Sequence, residues 1–387
     1  MQSLSPEILE LQEATRHFAE KEVAPIAQAL HLAGKEIPDA LLAKMSDMGI
    51  FGVFASPEYG GLGMGAVAVA VITEELSRAW FSVGALPARN WGAALLLEKH
   101  GTKEQKEKWL PGLVSGKLQS AHAGTEPQAG SDAANIKTTA VLANGVYRLE
   151  GAKQWCTHAN RADVLSTFCR TGKESKKHGG ISLLLVEKPR GDQFVPPKLT
   201  GSRIDTIGYH GMNTYQLFFD GYEVPQANLL GGEEGRAFKQ LMAVYELARM
   251  QFAFRCIGLA QAAYEAALGY SRDRVQFGQA ICNFQAIRFK LADMATEIEA
   301  ARQLGYMVAN KMDAGLRVDL EAGMVKLFAS EMAHRVCHEA VQIHGGNGFA
   351  VDYPVNRYWR DSGLCTIGEG TSEIQREVIA RRLLGER

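Results

Sequence analysis

The chain has 387 residues, of which 46% are hydrophobic and 22% are charged, and its formal net charge at pH 7 is −1. This length is sufficient for two or three domains with substantial cores, and the composition is that of a globular protein rather than a disordered one. The near-neutral charge argues against nucleic-acid binding, which normally requires a basic excess.

Neither a membrane span nor a targeting segment is predicted. The longest apolar run, Ala66–Thr73, is shorter than the roughly 18 residues that a spanning helix needs. The segment Met1–Glu7 lacks the features of a signal peptide or of an arginine-rich transit segment. The 6 cysteines are scattered without pairing motifs, as is typical of reduced residues. We therefore expect no membrane insertion and a location in the cytoplasm, or in the mitochondrial matrix after loss of a transit segment.

Hydrophobic periodicity divides the chain into three parts. Apolar residues at helical spacing begin with Ile8, Leu11, Ala14 and Phe18. After about residue 120 the pattern changes to short alternating or β-branched runs, and after Gly235 long helical patterns return. The predicted helices of the last part pack as a bundle. The sequence thus predicts an N-terminal helical domain, a middle β domain and a C-terminal helical bundle, at residues 1–120, 121–233 and 234–387.

A carboxylate between two glycines is the strongest candidate for a catalytic group. Glu369 follows Gly368 and precedes Gly370, so a flat substrate can approach it closely. Thr371 and Ser372 follow and can expose hydroxyls and the free N–H groups of a helix start. An alternative is that this stretch only begins a helix, because Thr366 with Glu369, and Ser372 with Gln375, both fit a capping box.

Two upstream segments suit a phosphate or a planar heterocycle. The segment Thr125–Asp132 is a turn rich in hydroxyls and small residues, which offers several backbone donors, although a plain surface turn has the same composition. In Gly151–Thr157, strand alternation places Trp155 and Thr157 on one face. An indole beside a hydroxyl can cover a ring and hydrogen-bond its edge, but Trp155 could also belong to a core.

Taken together, these motifs resemble those of the acyl-CoA dehydrogenase family. The motifs occur in the family's order and spacing, over nearly the whole chain, at Thr125–Asp132, Gly151–Thr157, Arg274–Gly278, Gln342–Phe349 and Glu369–Gln375. The resemblance implies an α+β, mainly α fold with an N-terminal helical domain, a middle β-barrel-like domain and a C-terminal four-helix bundle. It also implies an FAD cofactor, an acyl-CoA substrate and a homotetramer in which a neighbouring subunit completes the flavin site.

By the same resemblance, Glu369 removes the α-proton of the thioester and flavin N5 takes the β-hydride. The product is the trans-2-enoyl-CoA, and the electrons pass to an electron-transfer flavoprotein. The matched cofactor-binding positions are His122, Gly124, Thr125, Gly130, Ser131, Trp155, Thr157, Arg274, Gln276, Phe277, Gln285, Gln342, Gly345, Gly346, Thr371 and Glu373. The matched substrate-binding positions are Ser131, Arg249, Glu246, Gly368, Gly370 and Arg89.

Three positions bear on the substrate. Many relatives carry an aromatic residue immediately before the base, where this chain has Gly368. One interpretation is that the glycine makes room for a wide acyl group, and the other is that it only permits a bend of the backbone. Some relatives carry the base on the helix around Arg249, but the matching residue here is Ala248.

Arg89 lies in a segment that borders the acyl pocket in relatives and could clamp a distal carboxylate; alternatively it is a surface arginine or is paired with an acid. A carboxylate clamp would favour a dicarboxylic, methylsuccinyl-type substrate over a short, branched or cyclic one.

Other chemistries are less consistent with the sequence. His334, Cys337 and His338 share a helical face, but no fourth ligand accompanies them, so no metal site is predicted. Glycines at 61, 63 and 65 lack the Rossmann spacing. The remaining alternatives are a family member with a different outcome (an oxidase, a decarboxylating dehydrogenase or a desulfinase) and a non-catalytic flavoprotein scaffold.

Overall fold

The computed structural model describes residues 4–172 and 179–385. Helices form both ends of the described chain, and strands form its middle. The N-terminal helices are α1 (Pro6–Phe18), α2 (Ala24–Leu32), α3 (Asp39–Asp47), α4 (Gly65–Ala79), α5 (Phe81–His100) and α6 (Lys103–Val114).

Local sequence signals explain where the N-terminal helices start. Ser5 caps α1 by accepting a hydrogen bond from the Ile8 N–H, and Thr102 forms a capping box with Gln105 at the start of α6. The buried stripe of α1 contains Ile8 and Phe18 as predicted, but Ala14 is exposed and Thr15 is buried instead. Almost every residue of α4 is buried, so this helix forms the centre of the N-terminal core.

The middle part is a seven-stranded sheet that is mostly antiparallel. Its strands are β1 (Ser120–Ala123), β2 (Thr139–Ala143), β3 (Val146–Thr157), β4 (Val164–Arg170), β5 (Ile181–Glu187), β6 (Leu199–Ile204) and β7 (Thr214–Pro225). The order is β1-β4-β2-β3-β7-β6, with β5 also paired to β4, and β1 and β4 run parallel. The short alternating or β-branched runs of the sequence predict β2, β3, β4, β5 and β7, whereas β1 and β6 carry too little hydrophobic alternation to be recognised.

Long helices form the C-terminal part. They are α7 (Ala237–Asp273), α8 (Gln285–Asp313), α9 (Asp319–His344), α10 (Gly346–Phe349), α11 (Pro354–Ser362) and α12 (Ser372–Leu383). A short hairpin, β8 (Val275–Gln276) with β9 (Gln279–Ala280), joins α7 to α8. Helices α7, α8 and α9 pack against one another, and α12 packs on α9. This confirms the predicted bundle. Across the described residues, no helix is both long enough and apolar enough to cross a bilayer.

A buried ion pair fixes the loop after β1 against β3. The Lys153 ammonium donates to a carboxylate oxygen of Glu126 at 2.7 Å and to the Gly124 carbonyl at 3.1 Å, and both partners of the pair are at most 2% exposed. Glu126 also accepts hydrogen bonds from the Thr138 and Lys137 N–H groups. Burial alone would raise the pKa of Glu126, but Lys153 and these donors outweigh it and lower the pKa to about 2.

We expect Lys153→Met to lower the free energy of unfolding by about 3–5 kcal/mol, because it leaves the Glu126 carboxylate buried without its cation. Denaturant unfolding of the FAD-loaded protein measures this loss. Lys198→Met is the control, because Lys198 is exposed in the same sheet domain. Equal losses in both variants would contradict the prediction.

The same pair predicts a pH dependence. Since the pKa of Glu126 is lowered to about 2, its stabilisation is fully present above the ordinary glutamate pKa of about 4.3 and is lost as the pH falls toward the folded value. Glu126→Gln should therefore have a smaller decrease in unfolding free energy across this acidic range than the unmodified protein. An unchanged pH slope would show that other carboxylates carry the effect.

Candidate active site

The loop between α11 and α12 holds Glu369 in a left-handed backbone conformation. Its φ is +54°, and Gly370 follows at +88°. Left-handed backbone is uncommon for a residue with a side chain and persists only where the surroundings impose it. Here Gln375 Nε2 donates to the Glu369 carbonyl at 3.0 Å and to the Gly370 carbonyl at 3.3 Å, and Lys326 Nζ donates to the Gly370 carbonyl at 2.6 Å.

The backbone of this loop shows that neither capping box forms. Thr371 is the N-cap of α12, because its hydroxyl accepts a hydrogen bond from the Ile374 N–H at 3.3 Å. Glu369 lies before the helix, and the Gln375 side chain turns back to the loop carbonyls. The two capping boxes of the alternative are therefore wrong, although Thr371 does begin α12; a catalytic role for Glu369 stays a prediction. The Glu369 N–H has no hydrogen-bond acceptor in the part of the chain that the structure describes, so it can donate to a bound group.

Side chains from β1 and α7 lie close enough to the Glu369 carboxylate to interact with it. Burial lowers the pKa of His122 on β1, and Glu369 opposes this shift; protein surrounds the His122 ring, although solvent still reaches part of it. Burial also raises the pKa of Tyr245 and lowers that of Arg249, both on α7, and Glu369 contributes to the first shift and opposes the second. The cleft around Glu369 thus contains partly buried polar and cationic groups.

Arg89 faces this cleft from α5. Its guanidinium donates to the Ala85 carbonyl at 2.8 Å, to the Tyr209 hydroxyl at 3.3 Å and to the Thr157 carbonyl at 3.4 Å. The side chain is half-buried, and no carboxylate within residues 4–172 and 179–385 forms an ion pair with it. The alternatives of a surface arginine or an acid-paired arginine are therefore wrong.

The space beside Gly368 is filled rather than empty. A Cβ atom at this position would lie 3.2 Å from the ring of Phe252 on α7, a residue that is 1% exposed. The left-handed bend itself lies at Glu369 and Gly370, and Gly368 is not part of it. Gly368 is therefore not the residue that permits the left-handed bend, and Phe252 packs against the position that its Cβ would take. The width of the acyl group stays a prediction.

The loop after β1 and the end of β3 lie together. The Gln154 N–H donates to the Thr125 carbonyl at 2.8 Å. Register shifts around 153–156 form a bulge, and Trp155 there has a φ of +60° and is 54% exposed. Cys156 is buried, which is consistent with the prediction that Trp155 and Thr157 project from the other face. The same loop contains three predicted cofactor positions. Gly124 is partly exposed, and Gly130 and Ser131 are exposed.

A second group of predicted residues lies around a separate pocket. This pocket, of about 340 Å³, is lined by residues that include Tyr270, Arg274, Gln276, Gly345 and Gly346. Arg274 follows α7, whereas the two glycines join α9 to α10. None of the side chains that surround Glu369 lines this pocket. The structure therefore divides the predicted cofactor positions between two places on one chain.

The other predicted positions are near these places but are not part of the same contacts. Gln342 is linked to the pocket through its carbonyl, which accepts from the Gly345 N–H. Phe277, 93% exposed in the hairpin, and Gln285, at the start of α8, do not line it. Glu373 lies in the first turn of α12. Burial and then Asp319 raise the pKa of Glu246, which places Glu246 near the start of α9.

Sequence reasoning missed several side chains of the cleft. Lys326 is fully buried, and its occurrence in an otherwise apolar helical run is a signal that could have identified it. Arg255 carries the same signal, since it interrupts the apolar run at 252–260. Tyr209, in a loop, and Phe252, in a largely apolar helix, carry no such signal.

Comparison with known proteins covers all three parts of the chain. Family models of the acyl-CoA dehydrogenase N-terminal, middle and C-terminal domains match residues 5–117, 121–222 and 235–384. The (2S)-methylsuccinyl-CoA dehydrogenase of Cereibacter sphaeroides is 43% identical over 384 residues, which are 98% of this chain and 70% of that protein.

Solved structures agree with these matches. Butyryl-CoA dehydrogenase from Megasphaera elsdenii superposes with a TM-score of 0.93 at 35% identity, covering 99% of this chain and 100% of its own. A chain solved in work on the electron-transferring flavoprotein of Acidaminococcus fermentans has a TM-score of 0.94 at 37% identity and covers 99% of both chains. The chain belongs to the acyl-CoA dehydrogenase family of FAD-dependent oxidoreductases.

Proposed function

We propose that Glu369 is the base that removes the α-proton of a short acyl-CoA thioester in an FAD-dependent dehydrogenation to the trans-2-enoyl-CoA. The observation that carries this proposal is the left-handed Glu369 backbone held by Lys326 and Gln375, with a free N–H on the same residue. Proton removal generates negative charge on the thioester oxygen, which a backbone N–H stabilises. One residue would thus supply both the base and a donor.

The residues present fit FAD in two places. Trp155 offers an exposed indole in a bulge, beside a loop whose backbone is held rigidly by the Glu126–Lys153 pair. The second place is the pocket around Arg274, which suits a pyrophosphate. It offers the Arg274 guanidinium, the Gln276 amide and the exposed backbone of Gly345 and Gly346. Bound FAD supplies the acceptor for the β-hydride.

Assembly would bring these two places together. We infer a homotetramer in which the Arg274 pocket of one subunit binds the distal part of a cofactor whose ring lies beside Trp155 of another. Phe277 and Phe349, near the pocket, are 93% and 81% exposed, and large apolar surfaces of this kind are typical of protein contacts. Of the predicted substrate positions, Gly368 and Gly370 lie in the base loop, and Arg89 faces the cleft from α5. Arg249 is partly buried, which suits the CoA portion, whereas Ser131 lies in the loop after β1 and Glu246 near the start of α9.

The acyl group and the electron acceptor are part of the proposal. Phe252 fills the side of the cleft beside Gly368, which favours a short acyl group. The related (2S)-methylsuccinyl-CoA dehydrogenase makes a branched, dicarboxylic thioester a good candidate. An electron-transfer flavoprotein is the acceptor that the family resemblance favours. All 6 cysteines lie among the described residues and are free, which supports a reducing compartment such as the cytoplasm.

We expect Glu369→Gln to lower kcat by about 10²–10⁴-fold, because the amide cannot accept the α-proton. Anaerobic bleaching of the flavin by acyl-CoA and deuterium exchange at the α-carbon measure this loss. Glu377→Gln is the matched control, since Glu377 lies on α12 and pairs with Arg381 at the surface. Undiminished exchange in Glu369→Gln would refute the proposal.

We expect Lys326→Met to lower kcat by about 10–100-fold with a smaller change in KM, because the Gly370 carbonyl loses its buried donor and the base loop relaxes. Steady-state kinetics with a dye acceptor separate the two constants. Lys290→Met is the control, because Lys290 pairs with Glu339 away from the loop. A loss of thermal stability with unchanged kcat would assign Lys326 a purely structural role.

A further inference from the structure

A second arginine in the cleft, Arg255 on α7, is buried without an anionic partner. It is 4% exposed, and its Nε is fully enclosed with no hydrogen bond. Across residues 4–172 and 179–385, its guanidinium makes neither an ion pair nor a hydrogen bond. Its neighbours are three aromatic rings, with Arg255 Cζ at 4.4 Å from the centroid of Phe252, 4.8 Å from Phe81 and 5.5 Å from Tyr209.

An unpaired guanidinium in this position is costly. Removing a cation from water costs several kcal/mol even after the surrounding protein relaxes. Contact with an aromatic face stabilises the cation by only about 0.5–2 kcal/mol. Cationic side chains that are buried in proteins normally meet a carboxylate or a phosphate. The arrangement around Arg255 is therefore better suited to the complex with an anion than to the free protein.

Tyr209 connects Arg255 to Arg89. Its ring lies beside the Arg255 guanidinium, and its hydroxyl accepts a hydrogen bond from Arg89 Nη2 at 3.3 Å. Burial opposes ionisation of this hydroxyl, but Arg255 and Arg89 outweigh burial and lower the pKa of Tyr209. Two cations therefore act on the same small volume.

This volume is next to the base. The Phe252 ring that contacts Arg255 is also the ring that fills the space beside Gly368. Glu369 in turn acts electrostatically on Tyr209, against the two arginines. Arg89 reaches the Thr157 carbonyl at 3.4 Å, at the end of β3. An anion held here would thus lie within a short acyl chain's length of the α-carbon.

We infer that Arg255 and Arg89, with the Tyr209 hydroxyl, bind a carboxylate at the distal end of the acyl group, so that the substrate is a short dicarboxylic acyl-CoA. This inference rests on the proposed function, because it assigns the far end of the same substrate. Arg255 supplies a planar cation that no carboxylate among the described residues pairs with. Arg89 supplies a second cation, which the Ala85 carbonyl already orients. The substrate carboxylate completes the hydrogen bonding of both.

The test compares thioesters that differ only at the distal carbon. Succinyl-CoA and butyryl-CoA form one pair, and 2-methylsuccinyl-CoA and 2-methylbutyryl-CoA form the other; in each pair a carboxylate replaces a methyl group. In the FAD-loaded wild-type enzyme we expect the carboxylate form of at least one pair to have the higher kcat/KM. Arg255→Met should lower the ratio of the two kcat/KM values on the order of 100-fold, because one partner of a buried charge pair is lost.

Three further variants sharpen the result. Arg255→Lys keeps the charge but loses the planar fork, so we expect it to recover part of the ratio. Arg89→Met should lower the ratio as well. Arg148→Met is the matched control, since Arg148 is 60% exposed on β3 and should leave the ratio unchanged.

Stability provides an independent readout. Since Arg255 is unpaired in the free protein, Arg255→Met should leave the melting temperature unchanged or raise it, whereas removal of a structural arginine would lower it. Dicarboxylic thioesters should raise the melting temperature of the FAD-loaded Glu369→Gln variant more than their methyl-ended counterparts, and Arg255→Met should abolish this difference.

The outcomes separate the inference from the proposed function. If methyl-ended thioesters are preferred, or if Arg255→Met lowers kcat/KM equally within each pair, the carboxylate site is wrong and the dehydrogenation proposal stands. If no thioester reduces the flavin but dicarboxylic ones still bind more tightly through Arg255, the proposed function is wrong and the anion site stands. Equal binding of both members of each pair would overturn the inference in either case.

Discussion

The active site depends on the hydrogen bond from the buried Lys326 ammonium to the Gly370 carbonyl. A lysine at 0% exposure has few acceptors to choose from, and a glycine in left-handed conformation turns its carbonyl toward this one. Together with Gln375, it keeps the preceding residue, Glu369, in a backbone conformation that an isolated peptide would rarely adopt. The position of the carboxylate is thus set by the packing of α9 and α12, not by the loop.

The charge of the cleft differs from that of the whole molecule. The chain is nearly neutral, with 42 lysines and arginines against 43 aspartates and glutamates. Around the carboxylate of Glu369, however, four cationic side chains lie in one neighbourhood: Lys326, Arg249, Arg89 and Arg255. Such a cationic environment favours an anionic substrate and the negative charge that develops when an α-proton is removed. A functional role for these cationic groups also explains why the protein tolerates the free-energy cost of burying them.

Long helices make this concentration of groups feasible. Tyr245, Arg249, Phe252 and Arg255 are spaced three or four residues apart, so α7 presents them along adjoining faces toward the cleft. The sheet contributes a different element, a bulge that turns Trp155 outward, and the Glu126–Lys153 pair fixes the neighbouring loop. A helical face supplies charge, and a bulge near the end of β3 supplies an exposed ring.

The sequence by itself determined the three-part architecture, the family and the candidate base, because hydrophobic period and glycine-flanked motifs are local properties of the chain. It also identified Arg89 as a candidate for carboxylate binding. Only the tertiary structure decided that Phe252 packs beside Gly368, and that neither Arg89 nor Arg255 has an acid partner in the part of the chain that the structure describes. It also placed Arg255 beside the Tyr209 ring. These contacts join residues from different elements that are far apart in the sequence. Whether a charge is paired depends on which other elements lie next to it, and no local pattern records that.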